Sequence, residues 1–344
     1  MVQESTYGLQ KVMRLLQLFE RFLQGACISK RSAAEEFGVS EKTIQRDIED
    51  LRIYFADFSW GKGTDAIVYR PSDKGYLLES EYIRWLTPQE VMVTAKILLE
   101  SRALPKAELD LLLDKLADQC ARHDRKPILD AINNERFLYQ PVRHNKPVFR
   151  LLWDVNQAVR ERRILELDYE KAGTPDVVFR TVEPLGIIFS EFYFYLIAHL
   201  HKENKEYPAI YRIDRIRSCR ATDRRFTVRE QDRFQEGQYR QKIQFMQSGE
   251  LLHVVFRFKG TAIEAVADRL PNARITAEGE HYIVETEVFG RGIKMWLLSQ
   301  AQYVEVLQPA HFREEMSKTI EEMRKNYWSG TFATHGQELS NGMC

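Results

Sequence analysis

The chain has 344 residues, 44% of them hydrophobic and 29% charged, and its 50 lysines and arginines balance 50 aspartates and glutamates. This length exceeds one ordinary core and predicts two or three domains of a soluble globular protein. The balanced charge means that any binding to nucleic acid rests on local placement, not on an overall basic surface. No apolar run approaches the roughly 20 residues a membrane-spanning helix needs, and the first residues, MVQESTYG, lack the apolar core of a signal peptide, so no membrane partner and a cytoplasmic location are expected. Cys27, Cys120, Cys219 and Cys344 are far apart, with no Cys-x-x-Cys and no Cys/His pair at zinc spacing. Free thiols are expected, with neither a metal site nor any other cofactor.

In chain order, Tyr7 to Gln24 first predicts an amphipathic helix through Leu9, Val12, Leu15, Leu16, Phe19 and Leu23. The stretch Ser29 to Leu51, SKRSAAEEFGVSEKTIQRDIEDL, then reads as two short helices around a tight turn. The first would span Ser32 to Phe37, Gly38 supplies the left-handed residue at the reversal, and Ser40 caps the second. Ile44, Ile48 and Leu51 recur at spacings of four and three and make one buried stripe. Lys42, Arg46 and Glu49 therefore point the other way, with Thr43 and Gln45 on the flanks. A recognition helix needs this division, docking by one face and offering donors to bases and phosphates from the other. Ala66 to Glu79 follows as two short strands joined by Pro-Ser-Asp-Lys-Gly, a wing. Residues 1 to 79 hold eleven basic against twelve acidic residues. A DNA-binding set of Lys30, Ser40, Lys42, Thr43, Gln45, Arg46, Arg70 and Lys74, with Arg31 beside it, is expected on one face, and tight binding is expected to need two copies reaching successive major grooves of an operator.

From Glu81 to Asn134 the sequence is helical. Thr87-Pro88-Gln89-Glu90 is a capping box with proline at the first helical position, leading into Val91, Ala95, Leu98 and Leu99. After Pro105 a second stripe runs through Leu109, Leu112, Leu113 and Leu116. Pro147 to Arg162 predicts one more helix. Short strands are then expected at Ile164 to Tyr169, Val177 to Thr181, Gly186 to Phe189, Phe192 to Leu200 and Ala209 to Ile213, which suggests a small barrel or strongly bent sheet. From Leu251 to Leu307 the order strand, helix, strand, strand, helix, strand predicts a ferredoxin-like unit, closed by a helix through Phe312, Met316 and Ile320. Ser329 to Cys344 reads as a flexible tail. The expected divisions are thus a winged helix-turn-helix at 1–80, a helical connector at 81–145, a sensing domain at 146–235, a ferredoxin-like domain at 245–328 and a tail at 329–344, an α+β multidomain chain.

Between Tyr207 and Arg229 lie seven arginines against two aspartates, beside the aromatic run Phe192-Tyr193-Phe194-Tyr195. Cations beside aromatic rings can hold single-stranded nucleic acid or a nucleotide, by phosphate pairing and base stacking. Phe192, Phe194 and Leu196 fit equally well as one core face of a strand, and Arg217, Arg220, Arg224 and Arg225 as solvated side chains. His199 and His201 alternate along the same strand, but two histidines without a third ligand do not predict a metal.

Arg180-Thr-Val-Glu-Pro184, then Phe194-Tyr195-Leu196-Ile-Ala198, then Tyr211-Arg212-Ile213-Asp214-Arg215-Ile216 resembles the WYL domain in order and spacing. With the helix-turn-helix before it and the βαββαβ unit behind it, the chain from about Tyr7 to Lys325 resembles the WYL-domain transcription regulators. The resemblance implies an Sm-like β-barrel for the WYL domain, a homodimer, and a barrel that senses nucleic-acid or nucleotide-like ligands. It places the ligand on Arg180, Tyr195, His199, Arg212 and Arg215. Phe194 departs from the family's tryptophan. Strict alternation sends Arg212 and Arg215 to opposite faces, so either the strand ends near Asp214 or only one of them faces the pocket.

The function expected is that of a homodimeric repressor that binds double-stranded operator DNA and responds to single-stranded DNA or a nucleotide; regulators that this chain resembles accompany phage-defence operons and DNA-damage responses. Two other classes compete. One is an accessory single-stranded nucleic-acid-binding protein, and the other a phosphodiesterase or nuclease with His199 as base. The second lacks a Gly-rich phosphate loop, clustered carboxylates for a metal ion and a nucleophile motif, so no enzyme is expected.

Overall fold

The computed structural model describes residues 2–58, 66–79, 86–120, 122–203, 207–228 and 234–328. Helices mix with three antiparallel sheets in an α+β chain that divides into two compact units, Met1–Asn145 and Lys146–Cys344. The expected tail at 329–344, the first residues of the expected connector (81–85) and Arg229 lie outside the described residues. No described helix is long and apolar enough to cross a membrane, and no group of three or more potential metal ligands occurs among the described residues.

In the first unit, α1 (Val2–Leu23), α2 (Lys30–Phe37) and α3 (Glu41–Phe58) precede the hairpin β1 (Ile67–Arg70) and β2 (Gly75–Leu78). The core is Leu18 and Phe22 of α1, Ala33 and Ala34 of α2, Ile44, Ile48, Leu51 and Phe55 of α3, and Ile67 and Leu78 of the hairpin. The apolar stripe expected on α3 is thus in the core, but the one expected on α1 is not. Leu9, Val12 and Leu16 are 63, 51 and 57% exposed. The face that α1 turns to α3 begins with cations: Lys11 pairs with Asp50 and Arg14 with Asp47, and only then come Leu18 and Phe22. Apolar spacing alone could not reveal that two ion pairs occupy half of the helix interface.

Three more helices complete the unit: α4 (Pro88–Ser101), α5 (Lys106–Ala117) and α6 (Arg122–Phe137). The capping box is formed, with Glu90 N–H donating to the Thr87 hydroxyl at 3.3 Å and Thr87 N–H donating to the Glu90 carboxylate at 2.8 Å. Val91, Ala95 and Leu99 of α4 and Leu109, Leu113 and Ala117 of α5 are buried at helical spacing.

In the second unit, α7 (Phe149–Glu161) leads into five strands: β3 (Arg163–Glu170), β4 (Val177–Ser190), β5 (Tyr193–Leu200), β6 (Ala209–Arg212) and β7 (Ile216–Arg225). Their sheet order is β6-β5-β4-β3-β7, antiparallel throughout. The two segments expected at Val177 to Thr181 and Gly186 to Phe189 are one long strand with an irregularity between Pro184 and Gly186, where the missing proline N–H breaks the ladder. β7 has no apolar alternation and was not expected. The closed barrel is not seen: no ladder among the described residues joins β6 to β7.

This sheet is covered on both faces. Val155 and Ala158 of α7 pack on Leu165, Leu167, Val182, Leu196 and Ala198, while Tyr239 of α8 (Glu236–Lys242), Ile243 and Met246 pack on Ile188 and Ile197. The chain continues as β8 (Leu251–Phe258), α9 (Ile263–Arg269), β9 (Arg274–Glu278), β10 (His281–Phe289), α10 (Gly292–Ser299) and β11 (Val304–Gln308), closed by α11 (Ala310–Trp328). The sheet order β11-β8-β10-β9 places one strand between the two strands of each βαβ unit. Val254, Phe256, Val284, Val288, Ile293, Trp296 and Phe312 fill the layer between this sheet and its helices.

Candidate nucleic-acid and ligand sites

The first candidate site lies on α3. Gly38 takes a left-handed conformation (φ 64°, ψ 35°) between α2 and α3, the geometry that glycine adopts without steric cost. Thr43 N–H donates to the Ser40 hydroxyl at 3.2 Å, and the two hydroxyls are 3.0 Å apart, so Ser40 and Thr43 serve the start of the helix. Lys42 and Arg46 are exposed one turn apart on the side away from Ile44 and Ile48. Gln45 accepts a hydrogen bond from the Tyr76 hydroxyl of the wing at 2.9 Å. Lys30 lies 5.7 Å from the centre of the Tyr76 ring, a cation–π distance. Arg70 pairs with Asp73 at 3.5 Å, Lys74 takes φ 50° in the hairpin turn, and Arg31 pairs with Glu35. Of the eight residues expected to meet DNA, Lys42 and Arg46 thus present exposed cations from α3 itself. Lys30 and Gln45 are tied to the wing through Tyr76, which sequence reasoning did not single out.

The second candidate site lies on the five-stranded sheet. Tyr195 pairs across the ladder with Arg212 on one side and Ile188 on the other. β6 ends at Arg212, and Ile213–Arg215 forms a 3-10 turn, so the alternation that would have separated Arg212 from Arg215 stops there. Both charges act on the Tyr195 hydroxyl, whose pKa burial raises and the Arg212 charge opposes. Arg212 donates to both carboxylate oxygens of the buried Asp214, at 3.0 and 2.7 Å, and its guanidinium lies 3.4 Å from the centre of the Tyr193 ring. Burial works against the Arg212 charge, but the Asp214 hydrogen bonds and charge outweigh it and hold the guanidinium above its ordinary range. A cation locked flat on one tyrosine beside a second is a platform for a planar, anionic ligand.

His199 is four residues beyond Tyr195, on the same face of β5, opposite Glu183. Arg180 is elsewhere. It pairs in register with Leu167 and shares the parity of Val182, both on the face covered by α7, and its charge acts on the buried Tyr211. The five expected ligand residues therefore do not share one face: Tyr195, His199, Arg212 and Arg215 come together, and Arg180 does not join them. Tyr193 and Asp214 complete the arrangement. Tyr193 was legible, since it lies two residues from Tyr195 on the same strand face; the role of Asp214 needed the turn that the sequence did not disclose. Phe194 packs in the α7-side core with its ring 5.0 Å from Phe189, so an aromatic at this position serves packing.

The remaining arginines of the run are largely engaged across the ladder. Arg217 pairs with Glu170, Arg220 and Arg224 with Glu166, and Asp223 with Arg163, joining β7 to β3. They hold an edge strand in place, a use that a count of charges could not distinguish from binding.

Residues 150–221 match the family model of the WYL domain, and residues 250–324 that of the WCX domain. No curated protein matches the sequence. Among solved structures, the chain is similar to proteasome accessory factor B/C (PafBC) of Arthrobacter aurescens, at 18% identity and a TM-score of 0.31, over 92% of this chain and 48% of that one. It is also similar to a CRISPR Cas-related protein, at 15% identity and a TM-score of 0.34, over 62% of this chain and 61% of that one. The chain thus spans about half the length of the first and under two thirds of the second, and at these TM-scores neither likeness carries an argument. The two matched domains, in this order, make the chain a member of the WYL-domain regulator family.

Proposed function

We propose that this chain is a DNA-binding transcription regulator, acting as a homodimeric repressor, whose WYL domain takes a nucleic-acid or nucleotide-like ligand. The observation that carries the DNA-binding part is α3, which buries Ile44, Ile48 and Leu51 while Lys42 and Arg46 stand exposed on its other side. We read Met1 to about residue 80 as a winged helix-turn-helix, α4–α6 as a connector, the five-stranded sheet with α7 as an Sm-like fold left open at one seam, and β8 to α11 as ferredoxin-like. The ligand reading is supported by the Tyr193–Arg212–Tyr195 platform with Arg215 and His199 beside it. These groups bind and stack; the reading assigns no reaction to them. Homodimerisation follows from charge: a neutral DNA-binding domain offers too few phosphate contacts for a tight complex on one half-site.

Footprinting of the full chain on the DNA upstream of its own coding region tests this reading. A protected site with two-fold symmetry is expected. Protection of no sequence, with tight binding to single strands alone, would favour the accessory nucleic-acid-binding reading instead.

A further inference from the structure

The mode in which Gln45 meets a base depends on a residue of the wing. Tyr76 is 8% exposed, and its backbone is bridged to Ile28 by hydrogen bonds in both directions, at 2.7 and 2.8 Å. The preceding Gly75 allows this close approach, since a Cβ there would run into the Cys27 sulfur and stand 3.1 Å from the Ile28 carbonyl oxygen. Lys30 and Arg52 lie 5.7 and 5.6 Å from the centre of the Tyr76 ring, and the Tyr69 ring lies 5.2 Å away. The hydroxyl is therefore held at a fixed point, and from there it donates to Oε1 of Gln45 at 2.9 Å.

A free glutamine reads adenine with both ends of its amide, the oxygen accepting from N6 and the nitrogen donating to N7. Here the oxygen already serves the phenol, and turning the amide over would leave a nearly buried hydroxyl without its acceptor, which is costly. What remains for a ligand is the pair of amide hydrogens. We propose that Tyr76 is a specificity-determining residue: by holding the carbonyl of Gln45 it makes this side chain a donor-only reader, matched to a base edge that carries acceptors, guanine O6/N7 or thymine O4. The inference rests on the reading of α3 as a DNA-reading helix and goes beyond it by naming the base edge and a residue outside α3 that sets it.

Selection from randomised duplexes with the full chain tests it, comparing the unaltered protein with Tyr76→Phe and Gln45→Glu. One position in each half-site should favour guanine or thymine over adenine by at least about fivefold. Tyr76→Phe, which releases the carbonyl, should bring adenine to within about twofold at that position and leave the others unchanged. Gln45→Glu keeps an acceptor for the phenol and removes the amide donors, so it should shift the preference to cytosine, whose N4 amine donates. A base profile unaltered by either substitution overturns the inference while leaving a sequence-specific protein, as does a preference for adenine at the position that Gln45→Glu changes. If Tyr76→Phe fails to fold by thermal melting, Gln45→Glu decides alone, and an unaltered profile overturns the proposal. If the unaltered protein enriches no sequence, the DNA-reading assignment of α3 fails and this inference with it.

Discussion

Single residues set how α1 and α3 fit. Asp47 is 1% exposed and accepts two hydrogen bonds from Arg14, at 2.5 and 3.3 Å, in the middle of the helix interface. Asp47→Ala would leave a guanidinium enclosed without a counter-charge, which costs about 3–5 kcal/mol. Chemical denaturation of the full chain should show that loss; a change below about 1 kcal/mol would mean that Arg14 escapes to water. Arg46 carries the opposite expectation, because it touches nothing that the core needs. Arg46→Ala should leave stability within about 0.5 kcal/mol and weaken DNA binding by about 1–3 kcal/mol if it meets a base, or lower the salt slope by about one if it meets a phosphate. Binding unchanged across a series of salt concentrations would remove Arg46 from the interface.

Elements were legible where a local pattern has one physical solution. Gly38, the Ser40 cap and the Ile44–Ile48–Leu51 stripe are each sufficient cues, and α2 and α3 form where they indicate. β8 and β10 coincide with their expected limits for the same reason, since alternation over eight or nine residues admits little else. β7 was hidden because Arg-Ser-Cys-Arg-Ala-Thr-Asp-Arg-Arg has no apolar face, and its place comes from partners on β3 far away in sequence. The ligand residues were half legible in the same way: period two put Tyr195 and His199 together, but only the cross-strand register shows that Arg180 belongs to the other face. The connector illustrates long-range pairing too. Arg136 of α6 donates to Asp110 and Asp114 of α5, at 2.7 Å and at 2.8 and 3.0 Å. Its hydrogen bonds hold the Asp114 carboxyl below the usual value of 3.8. A carboxylate depressed on folding stabilises above its unfolded pKa, near 4, and loses that contribution as pH falls through the folded value. Arg136→Ala should therefore destabilise the first unit by about 1–2 kcal/mol at pH 7, and the difference should shrink below about pH 3. Thermal melts of both proteins at the two pH values check this, and a difference that persists in acid would assign the loss to packing by the arginine stem.

At the scale of the molecule, the proposal joins a DNA-reading unit to a ligand-taking unit in each of two copies. Leu9, Val12, Met13 and Leu16 stand exposed on α1 at spacings of three and four, a seam of the kind that helices use to pair. Val12→Glu with Leu16→Glu should turn a dimer into a monomer in sedimentation at micromolar concentration, without lowering the melting temperature; a dimer that survives the change would place the contact elsewhere. The central claim, that a ligand on the Tyr193–Tyr195–Arg212 platform controls DNA binding, requires the ligand to bind one state of the dimer better than the other. The most direct measurement is the affinity of the full chain for its footprinted duplex, with and without a short single-stranded oligonucleotide, for the unaltered protein and for Tyr195→Ala with Arg212→Ala. The account predicts a change of about tenfold or more for the unaltered protein and none for the double variant, each substitution removing a contact worth ~1–3 kcal/mol. An equal response from both proteins, or a double variant that no longer binds the duplex at all, would contradict it.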